Sequence, residues 1–286
     1  MSDPLLVVDG PSLLYRSFFA LPESIAAPDG TPVNALLGST NALLRVIAEH
    51  HPRAVVMCFG PDAAAYRLAA YPAYHADRPP VPDGLALQFT DAARFFAAFG
   101  WSSERDEEHE ADDLLHSLAL VEEEAGGRAL LLTGDRDLYQ CASARTAVLY
   151  LKTGVKGVEE VDPEEVRRRY GVPPELVPDF IALRGDPSDG LPGAKGIGEK
   201  TAADLLRRHG SLEATIAAAL RETPRIRAAL HGQAEELVAF KDIATLRRLE
   251  LERPADRPTD LAGGAVAARQ RGMNRLAERL EKGRLA

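Results

Sequence analysis

The sequence predicts an α/β fold: a parallel sheet flanked by helices, followed by a wholly helical part. Three observations carry this. In the first half, short apolar runs alternate with amphipathic helical stretches. The runs are apolar throughout rather than alternating, as in strands covered on both faces. Beyond residue 160 the strand-like runs stop while helical periodicity continues.

Leu5-Leu6-Val7-Val8 is the first strand and stops at Asp9-Gly10. Residues 35–49 carry Leu, Ala and Val at helical spacing. Ala54 to Phe59 is a second strand, closed by the breakers Gly60-Pro61. Amphipathic helices follow at 85–99, ended by Gly100, and at 110–124, ended by Gly126-Gly127. Ala129 to Leu132 and Thr146 to Tyr150 are the third and fourth strands. Asp162-Pro163-Glu164-Glu165 is a strong helix start, with a capping acid and a proline at the first position. Helices are expected at 163–170, 174–184, 199–208, 212–220 and 231–247. Two Pro and two Gly within 253–266 predict a loop, and residues 267–283 a last helix. A boundary near residue 160 separates an α/β domain, 1–160, from a helical domain, 161–286.

The 286 residues carry 43 acidic against 34 basic side chains, a formal charge of −9. A protein that coats nucleic acid is normally basic, so a histone-like binder is excluded. An enzyme that gathers carboxylates around metal ions is not. There is no apolar stretch of about 18 residues to span a membrane. The start, Met1-Ser2-Asp3-Pro4, lacks the basic and apolar regions of a secretory signal. Two cysteines, Cys58 and Cys141, cannot build a disulfide framework. A reduced, cytoplasmic location without a membrane partner is expected.

In an open α/β sheet, ligands bind at the carboxyl ends of the strands. Asp9 ends the first strand, and Asp135 and Asp137 follow the third. Glu110, Asp112 and Asp113 open a helix, with Glu110 and Asp113 on one face at i, i+3. Each acid has a plainer reading as a helix cap, a dipole partner or a turn residue. That reading weakens when several acids lie on one sheet edge. Clustered carboxylates repel, hard divalent cations offset the repulsion, and all-oxygen ligation suits Mg²⁺ or Mn²⁺ rather than Zn²⁺.

Asp186 and Asp189 lie in a turn-rich loop that leads into Gly193-Ala194-Lys195-Gly196-Ile197-Gly198-Glu199-Lys200-Thr201. This run is not a Walker A loop, which needs four residues between its first Gly and Gly-Lys-Ser/Thr and a strand before it. A hairpin between two helices fits better. Its glycines let the backbone approach a phosphodiester, the next helix offers N–H groups, and Lys195 and Lys200 add charge.

Val8 to Arg16, Tyr71 to Pro80, Glu110 to Asp113, Thr133 to Asp137 and Gly185 to Ala203 resemble, in this order, the bacterial 5′-3′ exonuclease and flap endonuclease family. The same fold is found at the amino end of DNA polymerase I. The resemblance implies a PIN-like, resolvase-like nuclease domain with a helical arch at 61–80. It also implies a helix-hairpin-helix at 185–208 that grips duplex DNA and binds K⁺. Asp9, Glu110, Asp112, Asp113, Asp135, Asp137, Asp186 and Asp189 are then the acids that hold two Mg²⁺ or Mn²⁺ ions. Arg67, His75 and Arg78 are the implied catalytic cations. The implied DNA contacts are Tyr15, Arg16, Tyr66, Tyr74, Gly193, Lys195, Gly196, Gly198, Lys200 and Thr201. The activity implied is phosphodiester hydrolysis in replication and repair, by a stand-alone monomer. Its substrates would be DNA with 5′ flaps, nicks or free 5′ ends, with RNA–DNA hybrids besides. A non-catalytic branched-DNA-binding protein and a metal-dependent ribonuclease stay open as alternatives.

Residues 61–80 interleave Tyr66, Tyr71 and Tyr74 with Arg67, His75 and Arg78. On a helix, positions 67, 71, 74 and 78 would share a face, although Pro72 and Pro79-Pro80 break a continuous helix. Aromatics with cations suit a single-strand channel. A docked helix or a solvated loop is the alternative. Two positions depart from the family pattern. His75 stands where a lysine is usual. An ordinary imidazole is largely neutral in alkaline solution, so Arg78, with Arg67 as a second candidate, is expected to carry more of the transition-state charge. Gly60 stands where an Asp usually follows the last Phe of the strand. The next acid, Asp62, lies two residues on, about 6.5 Å along an extended chain, and is expected to reach a metal-bound water at best. Gly60→Asp is expected to lower the Mg²⁺ requirement where the backbone admits a side chain.

Overall fold

The computed structural model describes residues 3–152 and 157–285. Met1 and Ser2, which open the start read above, lie outside the described residues. The four apolar runs are strands β1 (Leu5–Asp9), β2 (Ala54–Phe59), β4 (Ala129–Thr133) and β5 (Thr146–Leu151). Two further strands, β3 (Ser102–Arg105) and β6 (Val158–Val161), form the edges. The order is β3-β2-β1-β4-β5-β6, with β1 to β5 parallel and β6 antiparallel to β5. Neither edge strand stands out in the sequence. Ser-Ser-Glu-Arg and Val-Glu-Glu-Val are short and charged, which is how exposed sheet edges are blunted.

α1 (Gly10–Ala20) begins where β1 ends, capped by the Asp9 side chain with Pro11 in its first turn. α2 (Asn34–His50), α3 (Ala65–Ala70), α4 (Asp83–Ala97) and α5 (Ala111–Glu124) complete the α/β part. α6 (Pro163–Tyr170), α7 (Val177–Arg184), α8 (Glu199–His209), α9 (Leu212–Ala217), α10 (Pro224–Gly232) and α11 (Ala234–Ala244) follow, then α12 (Leu261–Gln270) and α13 (Asn274–Glu281). The helix expected at 231–247 is the shorter α11, and α10, which precedes it, is not among the expected helices. The helix expected at 267–283 is two, separated at Gly272, whose φ is +74°. The expected loop at 253–266 ends early, at Asp260, which caps α12 through Gly263 N at 2.8 Å. Gly263 and Gly264, read as loop signals, instead permit close packing. A Cβ on Gly263 would press on Ala98 O, and one on Gly264 on the Phe99 ring.

Side chains of the covered strands alternate between two cores. Leu5, Val7, Val56 and Leu131 share one with α5 and the helices from α6 to α11. Leu6, Val8, Met57, Leu130 and Leu132 share the other with α1, α2, α4, α12 and α13. Packing therefore cuts across the expected division at residue 160. Residues 163–244 back one face of the sheet, and 261–281 return to cover the other.

Candidate active site

The chain passes outward from β1 to β3 and then returns to place β4 on the other side of β1. Strand order reverses between β1 and β4, and ligands of open α/β sheets bind at the carboxyl ends there. Register decides what lines this crevice. Leu5 pairs with Ala129 and Val8 with Leu132. Asp9 and Thr133 come next, side by side, on the face of Val7 and Leu131. The Thr133 hydroxyl donates to Asp9 Oδ2 at 2.7 Å and accepts from Asp135 N at 2.9 Å. Ser12 N donates to Asp9 Oδ1 at 3.0 Å, and Asp137 N to Asp135 Oδ1 at 2.8 Å.

The first turn of α5 adds Asp112. Burial, with Asp135 and Asp9 beside it, holds the Asp112 carboxyl well above the ordinary carboxylate range. Burial pushes Asp137 well up too, with Asp135, Asp189 and Asp186 adding to it. Asp135 is pushed up to about 7, by burial first and by Asp189 next. Burial also raises Asp9, against the hydrogen bonds from Ser12 and Thr133. Among the described residues, no hydrogen bond reaches the carboxylate of Asp112 or Asp137. Four carboxylates thus share one crevice, and the Arg16 and Arg67 charges that reach Asp9 and Asp112 do not offset burial and mutual repulsion.

The other four expected acids already have cationic partners. Glu110 accepts from Arg67 Nη1, from Ala64 N at 2.7 Å and from the Tyr74 hydroxyl at 3.1 Å. It therefore does not cap α5, the plainer role open to it. Asp113 accepts from Arg67 Nη2 at 3.4 Å, Tyr66 at 2.8 Å and Arg247 N at 2.7 Å. Asp186 accepts from Arg184 at 3.0 Å and from Ser188 N at 2.8 Å. Asp189 Oδ1 accepts from Arg78 at 3.2 Å and lies 3.1 Å from His75 Nε2. The loop holding these last two acids is closed by paired backbone bonds between Asp186 and Leu191, 2.8 Å each.

The expected arch is docked here. Its helix, α3, stops at Ala70, so positions 67, 71, 74 and 78 do not share a helical face. Arg67 is only 3% exposed, and the paired carboxylates raise its pKa against burial. In this conformation it balances Glu110 and Asp113 and is not free to meet a phosphate. Tyr74 is 2% exposed and stacks on His75, with ring centroids 3.7 Å apart, so neither face is open to a base. Tyr66 is covered by the Arg247 guanidinium, 3.4 Å from its centroid, and Tyr71 packs edge-on against Phe240. His75 has φ +57°, a strained angle for a non-glycine residue, and its Nδ1 lies 2.7 Å from Asp62 O. Arg78, which is exposed, is the expected cation best placed to change partners.

Asp62 does not fold back into the crevice. Its side chain is 70% exposed and pairs with Arg78 at 3.0 Å. Asp62→Ala should therefore slow metal-dependent cleavage by less than the roughly 10–100-fold typical of outer-shell partners, measured as the Mg²⁺ concentration for half-maximal rate. The expectation for Gly60→Asp is corrected. A Cβ at Gly60 would lie 2.4 Å from His109 O and 2.8 Å from Ala111 N. Space is the obstacle, since φ at Gly60 is not in the left-handed region. Gly60→Asp should destabilise the fold by at least about 1–3 kcal/mol, as overpacking does, and should not lower the metal requirement. A melting temperature equal to that of the unaltered chain would contradict this.

At the hairpin, Lys195, Gly196, Gly198 and Lys200 are exposed and Thr201 half-buried. Gly193 and Gly196 have φ of +67° and +77°, which only glycine adopts easily. Gly198 has open space at its Cβ position and precedes α8, whose first turn has no side-chain cap. Lys195 N is bound by Gln233 Oε1 at 2.8 Å. On α1, Tyr15 is exposed beside Phe19, while Arg16 donates to Gly134 O at 2.8 Å.

Residues 4–171 match the model of the 5′-3′ exonuclease N-terminal resolvase-like domain, and residues 172–258 that of the 5′-3′ exonuclease C-terminal SAM fold. The chain belongs to the 5′-3′ exonuclease family. Thermostable DNA polymerase I of Thermus thermophilus is 38% identical over 283 residues, which is 98% of this chain and 32% of the polymerase. A 5′-3′ exonuclease of Mycobacterium tuberculosis is 39% identical over 239 residues, 77% of this chain and 74% of that one. The chain spans only about a quarter of the M. tuberculosis DNA polymerase I, 24%, at 40% identity. Among solved structures, the T5 D15 protein crystallised with metal ions matches with a TM-score of 0.71 at 15% identity, covering 98% of this chain and 97% of that one. The catalytic core of Rad2 in complex with DNA substrate matches with a TM-score of 0.64 at 12% identity, over 99% and 92%. At such identities the likeness is one of fold.

The chemistry of this exonuclease-family crevice fits divalent ions. Its donors are all carboxylate oxygens, and two of the four acids have no hydrogen bond that a cation would have to displace. Among the described residues no three acidic or imidazole groups surround one point closely enough to chelate an ion as they stand. Sequence reasoning missed Thr133, Ser12, Arg184, Arg247 and Gln233. Two left a signal, Thr133 at the end of an apolar strand and Ser12 in the helix start that Asp9 caps. The other contacts depend on loops or on segments distant in sequence.

Proposed function

We propose that this chain is a metal-dependent 5′-3′ exonuclease and 5′-flap endonuclease acting on DNA. The observation that carries the reading is the crevice of Asp9, Asp112, Asp135 and Asp137 at the reversal of strand order. Mg²⁺ or Mn²⁺ would be held by these four acids, with Glu110, Asp113, Asp186 and Asp189 around them. Such ions, when bound, supply activation of water and stabilisation of charge at the scissile phosphate. The chain's own residues do the rest. Lys195, Lys200, Thr201 and the N–H groups opening α8 hold the backbone of the duplex. Tyr15 offers an exposed ring to a base. Arg78, released from Asp62, offers its fork to the phosphate. Undocking of the arch would free Arg67, Tyr66, Tyr74 and His75 for the 5′ strand. The glycine-rich backbone at 193–198 supports the K⁺ site expected there.

A 5′-labelled double-flap DNA incubated with Mg²⁺, Mn²⁺ or EDTA tests this. Cleavage near the flap junction with either metal, and none in EDTA, is the expected result. Tight binding without cleavage under every metal would favour the non-catalytic reading. Preferential cleavage of a matched RNA strand without DNA would favour the ribonuclease.

A further inference from the structure

Thr133 is completely buried, and the sequence motifs give it no role. It is the last residue of β4, opposite the last residue of β1. Its hydroxyl has one proton and the Asp135 amide has one. Asp135 N–H can only donate, so it takes a lone pair of Oγ1, at 2.9 Å. The hydroxyl proton is then left for Asp9 Oδ2, at 2.7 Å. Asp135 Oδ1 in turn receives Asp137 N, at 2.8 Å. A single hydroxyl therefore links the carboxylate that ends one strand to the turn that carries two more. Ser12 braces the same turn by accepting from Gly134 N at 3.1 Å, and its hydroxyl also reaches the Asp9 carboxylate, but it has no contact with the Asp135 amide.

We propose that Thr133 is a positioning residue of the metal site, whose hydroxyl ties the Asp9 carboxylate to the Asp135–Asp137 turn and so keeps these acids together where divalent ions can draw them in. The proposal rests on the reading of the crevice as a metal site. Outer-shell groups of this kind orient ligands and tune affinity without touching the ion. Thr133→Val keeps the branched shape but removes the hydroxyl, leaving Asp9 Oδ2 without a donor and Asp135 N–H without an acceptor. Thr133→Ser keeps the hydroxyl and loses a methyl group.

The test is isothermal titration of Mn²⁺ into the metal-free full chain and both variants, without DNA, with circular dichroism to verify the fold. Thr133→Val should bind Mn²⁺ about 10–100-fold more weakly, while Thr133→Ser stays within about threefold of the unaltered chain. A role confined to stability would lower the melting temperature of Thr133→Val, which strands two buried polar groups, while leaving the Mn²⁺ affinity of the folded variant unchanged. If the unaltered chain binds Mn²⁺ and Thr133→Val binds it equally well, the role of Thr133 is overturned and the metal site stands. If the unaltered chain binds no Mn²⁺, the metal site itself fails. Should Thr133→Val not fold, Thr133→Ser still decides. A loss of about tenfold or more there contradicts the proposal, and retained affinity, with Thr133→Ala weakened, supports it.

Discussion

Replacing Asp137 with asparagine should stabilise the metal-free protein while removing its activity. The Asp137 carboxylate is buried, takes no hydrogen bond among the described residues and is pushed well above its ordinary range by burial and by Asp135. Its proton is therefore held more tightly in the folded chain than in the unfolded one, where an Asp titrates near about 3.9. For such a group, stability is fully present below the unfolded pKa and is lost as pH rises through the folded one. Asp135, raised to about 7, adds a loss between roughly pH 4 and 7. Asp137→Asn removes one of these charges. Its metal-free melting temperature should exceed that of the unaltered chain at pH 8 and converge on it near pH 4. Each kcal/mol relieved is worth about 2–4 °C in a chain of this size. Flap cleavage should fall beyond the roughly 100-fold that marks an outer-shell contact. A variant that is less stable at pH 8, or that still cleaves, would contradict the reading of Asp137 as an unpartnered metal-site acid.

Arg67→Ala should be the most destabilising single change in the arch. It leaves Glu110 and Asp113 buried with hydrogen bonds but no cation. Breaking a buried pair by removing one partner costs about 3–5 kcal/mol, and here one guanidinium serves two carboxylates. Burial alone would raise Glu110, and Arg67 offsets that. The same charge also lowers Asp112, across the crevice. Urea denaturation at pH 7.5 measures the loss. An Arg67→Ala chain as stable as the original, with cleavage lost, would instead make Arg67 a group that acts on substrate.

How far the sequence reaches differs by residue. β1, β2, β4 and β5 were legible because helices cover both their faces, so nothing dilutes the apolar runs. β3 and β6 were not, because an edge strand is shaped by avoiding partners as much as by burial. Asp9, Asp112, Asp135 and Asp137 could be found from strand ends and a helix start, since topology carries such positions to one crevice. The pairings of the remaining acids could not. Arg67 and Glu110 are 43 positions apart, and His75 and Asp189 are 114 apart. Those contacts depend on how the arch docks, which no local period encodes. The glycines at 263 and 264 misled for a related reason. A glycine that marks a turn and one that admits a neighbouring ring look the same in sequence.

The crevice of Asp9, Asp112, Asp135 and Asp137 is expected to hold a divalent ion. Crystals of the DNA-free protein soaked in Mn²⁺ and measured for anomalous scattering test it most directly. An anomalous peak is expected in this crevice, with carboxylate oxygens of at least two of the four acids at about 2.0–2.2 Å, close to hard-cation distances. The peak should be lost in the Asp112→Asn/Asp137→Asn chain. A crevice without a peak at saturating Mn²⁺, or a peak bound only by Asp186 and Asp189, would contradict it.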